Sequence, residues 1–524
     1  MTEEMKEGET GISSDLSSSL SERRLFYFFV VVLTLACLFP VWWLSLLPMQ
    51  DFPQHLQVSR VISTWGSPQY DWQNYYILHI KPQPYILHFL LMAWLAKLFG
   101  IMTAGRIIVS LITILTTALV LVVARREKSP GNAPWGVLLL YPLVFNQMFY
   151  LGFINYCLSV PLVFLAIKEH SAVIRSGSKG ASFRLLIYLT TLFFLHPYPV
   201  LVYVVLALIQ STLYLGDGKR FVRAVVPPLA LGIVFTAWYF VSYSGMAGLS
   251  SIPWAIRWWP TLDVARFLAL QFTGMLEFSL PGMITLALWL AAITLLTLAA
   301  LRSRRLVSVQ RGYVRLVLVC LAGYFALPFW YGHNSYFNLR LAPFIYVFLV
   351  LLSTGLPVSR RTGTAVAAIA LSLVAVSIDT QKRVSSETGE IIPVARSVGG
   401  NARVLPIVAD GSSHVLPEAY FYQMHLHDPT YVHVLEGGGI NGELLDQALF
   451  PVRYMRPLDF PALPQGNPVE LLASVCAGPR DNIDYIVYRG PALSASDVKG
   501  RCEIVVVSGS WTLLKPTEKN PPQG

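Results

Sequence analysis

The feature that most constrains this chain is a series of apolar runs, 17 to 25 residues long, separated by short clusters of lysine and arginine. A run of that length, coiled as a helix, crosses a hydrocarbon core about 30 Å thick. One soluble core has no place for so many. Composition agrees: of 524 residues, 54% are hydrophobic and 13% are charged, whereas soluble domains carry about 25% charged residues. The chain therefore reads as an α-helical polytopic membrane protein. Spans are expected near 25–47, 104–124, 134–150, 152–168, 184–196, 198–216, 221–245, 280–301, 312–331, 340–356 and 362–378, eleven in all.

The net charge of +10 is not a nucleic-acid footprint, because the basic residues sit between apolar runs, and no nucleic-acid partner is expected. Segment 25–378 holds 24 basic residues and seven acids. The clusters Arg125/Arg126/Lys128, Lys168/Arg175/Lys179/Arg184, Lys219/Arg220/Arg223, Arg302/Arg304/Arg305/Arg311/Arg315 and Arg360/Arg361 belong on the cytoplasmic face. They share that face with Arg23/Arg24 only if the run 84–100 does not cross. That run contains Pro84, His88 and Lys97, and is expected to be a juxtamembrane or re-entrant helix.

The organisation that follows has three parts. Residues 1–24 form a disordered cytoplasmic tail with no removable signal peptide. Residues 25–378 form the membrane domain, with outer loops 48–103 and 246–279. Residues 379–524 form an extracytoplasmic α/β domain. The Trp-rich IPWAIRWWP of the second loop reads as an interfacial piece. RVLPIVA, YVHVL, DYIVYR and CEIVVVSGSWTLLKP alternate as strands do. Cys37, Cys157 and Cys320 lie in apolar runs as packing, while Cys476 and Cys502 are expected to pair in the oxidising compartment.

Four acids fall on the outer side: Asp51, Asp71, Asp263 and Glu277. Asp51 stands apart because it follows the first span by a few residues, in LPMQDFPQHLQVSRVIS, where Leu56, Val58, Val61 and Ile62 suggest an interfacial helix. A carboxylate at the bilayer edge suits a general base acting on a lipid-presented substrate. It would equally suit an N-cap for that helix.

A first span, an acid just after it, interfacial helices and then KPQPYILHFLLMAWLAKLFGIMTAGR together resemble the start of a GT-C glycosyltransferase. The pattern is similar to the bacterial branch of protein mannosyltransferases and aminoarabinose transferases, with Lys81-Pro82-Gln83-Pro84, Phe99-Gly100 and Arg106 in place of that branch's Lys-Pro-Pro-Leu, Phe-Gly and Arg. The resemblance extends loosely over 25–378. It implies a transferase that moves a sugar, with inversion, from a polyprenyl-phosphate-linked donor to a glycan, lipid or protein acceptor. It also implies a bacterial inner membrane, Asp51 as base and Lys81 as a phosphate contact. The chain departs from the branch at Phe52, where an acid often follows the first, and in NQMFYLGFINYC, which has no acid.

Further substrate-binding candidates are His55, one turn beyond Asp51; Asn155, able to hydrogen-bond a sugar; and His196 in FFLHPYP. His333 and Arg340 lie in WYGHNSYFNLRLAPF, and an arginine there could hold phosphate or merely anchor a helix end. No cofactor is expected, and the scarcity of outer acids favours a metal-free reaction over one using a divalent metal. His425, His427 and Asp428 in YQMHLHDPT, with His414 and His433, lack a zinc framework and read as surface or loop histidines. LEGGGINGELL lacks nucleotide-binding spacing. A transporter would place ionisable groups at the midplane, and none is there. The alternative that survives is a non-catalytic membrane subunit whose outer domain binds glycan or a partner.

Overall fold

The structure, a computed structural model, describes residues 3–125, 133–243, 255–270, 280–302, 308–332, 336–354, 356, 358–416, 423–441, 450–455, 472–473, 475–476, 483–493, 498 and 502–517. Its helices are α1 (Glu3–Trp43), α2 (Phe52–Ser63), α3 (Ile86–Phe99), α4 (Ile101–Ala124), α5 (Gln147–Tyr150), α6 (Ile154–Ser176), α7 (Lys179–Leu195) and α8 (Pro197–Ser211). They continue with α9 (Gly218–Tyr243), α10 (Thr261–Leu270), α11 (Leu280–Arg302), α12 (Ser308–Ala326), α13 (Ala342–Ser353), α14 (Arg360–Gly389), α15 (Ile391–Ser397) and α16 (Tyr431–Leu435). The strands are β1 (Tyr76–Leu78), β2 (Ala255–Arg257), β3 (Trp330–Gly332), β4 (Arg403–Val408), β5 (Ile440–Asn441), β6 (Val452–Tyr454), β7 (Tyr485–Arg489), β8 (Cys502–Ser508) and β9 (Trp511–Pro516).

The chain is an integral membrane protein. Among the described residues, seven helices are long and apolar enough to cross a bilayer, and α3 and the runs 312–326 and 339–353 are shorter apolar helices. The eleven expected crossings thus meet seven that satisfy length and apolarity. The run expected at 134–150 differs most: Trp135–Phe145 is a buried 3-10 helix with Pro142 inside it, followed by the single turn of α5. Proline cannot donate the interior hydrogen bond that an α-helix needs. The polar segment 1–24, expected to be disordered, continues α1 as far as Glu3, since extending a helix already nucleated costs little. The run 84–100 forms α3, which packs between α2 and α4.

Beyond the helices lies a five-stranded mixed sheet in the order β5-β4-β7-β9-β8. β4 runs parallel to β5 and β7, while β9 runs antiparallel to β7 and β8. Three of the four alternating runs became strands. YVHVL instead forms α16, because the preceding Asp428-Pro429-Thr430 turn starts a helix there and proline is preorganised for a first turn. Cys476 and Cys502 are disulfide-bonded, with Cα atoms 5.8 Å apart. Helix α14 does not stop at 378 but runs on to Gly389, carrying Glu387 into this region.

Two contacts seat the C-terminal region on the loop after the first span. β6 pairs antiparallel with β1, Tyr76 opposite Tyr454 and Leu78 opposite Val452. Beside that ribbon, Val58, Val61, Trp72, Tyr76 and Phe89 share one apolar cluster with Ile440, Phe450 and Val452. Arg60 adds a polar clamp, donating to the carbonyls of Val434 and Leu435 at the end of α16. Helix α2 is therefore not half-exposed at an interface; Phe52 to Ser59 and Val61 are all buried. In the loop 246–279, expected on the outer side, residues 246–254 and 271–279, including part of the Trp-rich piece and Glu277, lie outside the described residues. What is described there pairs β2 with β3 and stacks Trp259 on Phe329 at 3.8 Å.

Candidate active site

Asp51 stands at the N-cap of α2, with Pro53 in the first turn to set the helix start. Its side chain nevertheless makes no capping bond, so the carboxylate is not used up by the helix amides it could have satisfied. The backbone is held from the other side. Gln50 N donates to Tyr150 O at 2.8 Å and Asp51 N to Leu151 O at 3.2 Å. The turn that supplies those carbonyls comes close enough to require glycine. A Cβ on Gly152 would lie 2.7 Å from Asp51 N and 3.0 Å from its Cα, and Gly152 has φ +83°. Gly152→Ala is expected to cost about 1–3 kcal/mol through the left-handed backbone alone. It should also displace Asp51, and a lowered melting temperature would show the cost.

The carboxylate faces two residues distant in sequence, His427 and Arg340. His427 Nε2, from the C-terminal region, lies 3.6 Å from Asp51 Oδ1. That is too long for a hydrogen bond, but the ring's orientation is set. Gln54 Nε2 donates to His427 Nδ1 at 2.9 Å, which leaves the Nε2 proton directed at Asp51 when the ring is neutral. Burial, with His55 adding to it, lowers the His427 pKa to about 3, so the ring is neutral. Burial pushes the Asp51 carboxyl up to about 7, with the Arg340 guanidinium pulling against it. The Asp51 side chain keeps 21% of its surface exposed, so the carboxylate is covered yet reachable.

Arg340 lies in the turn Leu339–Leu341 that opens α13 and is buried. Its guanidinium sits 4.9 Å over the Phe153 ring and 5.9 Å over Tyr198. The Tyr156 hydroxyl donates to the Arg340 carbonyl, fixing the turn from α6. His196 caps α8, its Nδ1 accepting from Tyr198 N at 3.0 Å, and its ring meets Tyr85 edge-on at 4.7 Å. Tyr85 holds φ +68° where KPQP turns into α3. Asp51, Arg340, His196, Tyr85, Tyr156 and Tyr198 are thus neighbours in one group.

His55 and Asn155 hold structure together beside this group. His55 Nδ1 meets His88 Nε2 at 3.0 Å, and the His55 ring also hydrogen-bonds the backbone of Gly152. Burial lowers the His55 pKa to about 4, against that bond. Asn155 donates to Leu195 O at 3.2 Å and accepts from Tyr156 N at 3.0 Å, tying α6 to the end of α7. Lys81 is exposed beyond β1, where its charge and that of Arg453 act on His79. Among the described residues it makes no ion pair with the Asp51 group. His333 lies outside the described residues.

Of the histidines expected at the surface or in loops, His414 is exposed, whereas His425, His427 and His433 are buried; QMHLHDPT is a turn, as a loop reading has it, so alternate histidines do not share a face as on a strand. His433 Nδ1 bonds the Gly438 carbonyl. His425 Nδ1 is 2.7 Å from Asp428 Oδ2 and Nε2 is 3.4 Å from Glu387 Oε2. Burial opposes charge on His425, but the two carboxylates outweigh it and raise its pKa. Glu387 also accepts from Ser413 Oγ and His414 N. This cluster pins the turn that carries His427, so α14 positions a residue of the site. Gln54, Tyr85, Tyr198 and His427 were not among the sequence candidates; 376 residues separate His427 from Asp51, and only the alternation in HLHD drew attention to it.

The long membrane helices, the group around Asp51 and the sheet beyond it make a fold that solved structures share. Two crystal structures of ArnT from Cupriavidus metallidurans match the chain, one bound to undecaprenyl phosphate and one in the apo state, each with a TM-score of 0.57. Identities are 12% and 11%, with 93% and 94% of this chain and 97% and 98% of those chains covered. No protein-family model and no curated protein matches the sequence.

Proposed function

We propose that the chain is a membrane glycosyltransferase that moves a sugar from a polyprenyl-phosphate-linked donor to an acceptor hydroxyl, with inversion, at the outer face of a bacterial inner membrane. The observation that carries this reading is the uncapped Asp51 carboxylate, titrating near 7 and facing both Arg340 and the directed proton of His427. A base whose pKa lies close to the working pH is the one best placed to take a proton in the transition state. The ArnT structure with undecaprenyl phosphate, sharing the fold, supports a polyprenyl-linked donor.

In this mechanism Asp51 removes the proton of the acceptor hydroxyl as its oxygen attacks the anomeric carbon. The bond from that carbon to the phosphate oxygen breaks, and the electron pair leaves with the phosphate. Attack from the face opposite the leaving group inverts the centre. Arg340 offsets charge growing on the phosphate, an interaction stronger in the transition state than before it. His427 and Gln54 steady the carboxylate, while Tyr85, Tyr156 and His196 wall the sugar. His55 and Asn155 act by positioning the Gly152 turn and α6, and Lys81 attracts phosphate to this group from outside. The C-terminal sheet region lies on the extracytoplasmic side and carries His427 to the base.

The pH profile tests this directly. Because the ionised carboxylate is the active form, turnover should rise with pH through about 7 and fall below it. A rate flat from pH 5 to 8 would contradict the assignment of Asp51 as base.

A further inference from the structure

At the opposite end of the same helices from Asp51 is a cavity of 330 Å³. It lies where α4, α6, α8 and α13 end and α12 begins, whereas Asp51, Arg340 and His196 face the other ends of α6, α8 and α13. From Asn155 to Lys168 or Arg175 along α6 is about 20–30 Å at 1.5 Å per residue, the depth of a hydrocarbon core. Lys168 and Arg175 from α6 and Arg315 from α12 line it, together with Gln210 and Tyr214. Apolar side chains, among them Val122, Phe164 and Ile167, make up the rest of its lining.

Basic residues at cytoplasmic helix ends are usually solvated anchors. Anchors need no shared void, however, and here cations from helices 140 residues apart converge on one. Among the described residues no carboxylate lines the cavity, and neither Arg175 nor Arg315 has an acidic partner. Lys168 is turned to Glu169 at 2.6 Å, and Arg184 neutralises the other oxygen of that carboxylate from outside the cavity. Two guanidinium charges remain, which match a phosphate ester and can fork onto its oxygens. The apolar part of the lining has no use for a hydrated inorganic ion, but it suits the first methylenes of a chain. Basic pockets between membrane helices hold anionic lipid headgroups in this way.

We infer that this cavity binds a phosphate-bearing amphiphile, an anionic phospholipid of the leaflet opposite the candidate active site, with its phosphate on Arg175 and Arg315. The test uses the purified full-length chain in a neutral detergent. Thermal shift and native mass spectrometry would be followed on adding phosphatidylglycerol, phosphatidylcholine, glycerol 3-phosphate or inorganic phosphate. Phosphatidylglycerol alone should stabilise at micellar concentrations, and Arg175→Gln/Arg315→Gln should weaken its binding by about tenfold or more. Lys179→Gln/Arg220→Gln, exposed cations outside the cavity, should leave it unchanged. If the double glutamine variant does not fold, Arg175→Lys/Arg315→Lys supplies the same comparison, with a smaller loss expected. Equal binding by cavity and control variants, or equal stabilisation by phosphatidylcholine, would overturn the site. Equal stabilisation by inorganic phosphate or glycerol 3-phosphate would overturn the lipid and leave a soluble phosphate as its ligand.

Discussion

Asp51→Asn should lower sugar transfer by about 10²–10⁴-fold, the usual contribution of a positioned base, while leaving the fold at least as stable as before. The two halves of that expectation share one cause. The carboxyl is held near 7 in the folded chain, above the 3.8 of an unperturbed aspartate. A carboxyl with a raised pKa binds its proton more tightly folded than unfolded, so ionisation costs stability. The cost is absent below about pH 4, grows between 4 and 7, and is complete above 7. Asparagine removes the charge and keeps the shape. The variant's melting temperature should therefore equal or exceed that of the wild type at pH 8, with the difference closing near pH 4. An N-cap aspartate would behave oppositely, losing about 0.5–2 kcal/mol on replacement by alanine and tolerating asparagine without loss of activity. Transfer rate and melting curves at the two pH values separate the cases.

Arg340→Met should be the next largest loss, about 10²–10³-fold in turnover, as for removal of one preorganised stabiliser of developing charge. Methionine keeps an apolar stem against Phe153 and Tyr198, over whose rings the guanidinium now sits. Packing loss is thereby kept small, and the Tyr156 bond to the Arg340 carbonyl is main-chain on one side and should survive. A second readout distinguishes chemistry from anchoring. Since the guanidinium pulls the Asp51 pKa down, its removal should move the acid limb of the pH profile to higher pH. Arg340→Lys should restore the limb and only part of the rate, because an ammonium supplies charge without the planar fork. An arginine that merely anchored the helix end would leave the limb where it was.

Much of the membrane part was legible because bilayer thickness sets an apolar length, and length survives in sequence without knowledge of packing. The same logic marked α3 as too short and too polar to cross, and marked Asp51 as an acid in a place where acids are costly. What was hidden depends on tertiary partners. Residues 135–145 read as a helix by composition, but Pro142 and enclosure on every side yield a tight 3-10 run. YVHVL alternates like a strand, yet the local turn chemistry of Asp428-Pro429 decides for α16. α2 read as amphipathic and half-wet; it is buried because β6 and the end of α16 lie on it, contacts made by residues almost 400 positions away. His427 was invisible as a site residue for the same reason. No local pattern announces that a turn in the last quarter of the chain will be pinned by Glu387 and Asp428 over an aspartate at the end of the first span.

Whether this chain consumes a polyprenyl-phosphate-linked sugar is measured most directly by release of polyprenyl phosphate from a labelled donor panel by the purified protein, with the anomeric configuration of the product read by NMR. The wild type is expected to consume at least one donor with inversion, and Asp51→Asn, equally folded, to consume none. If the wild type neither binds nor consumes any donor, or if Asp51→Asn turns over as fast, the transferase reading is contradicted and the chain is a non-catalytic membrane subunit.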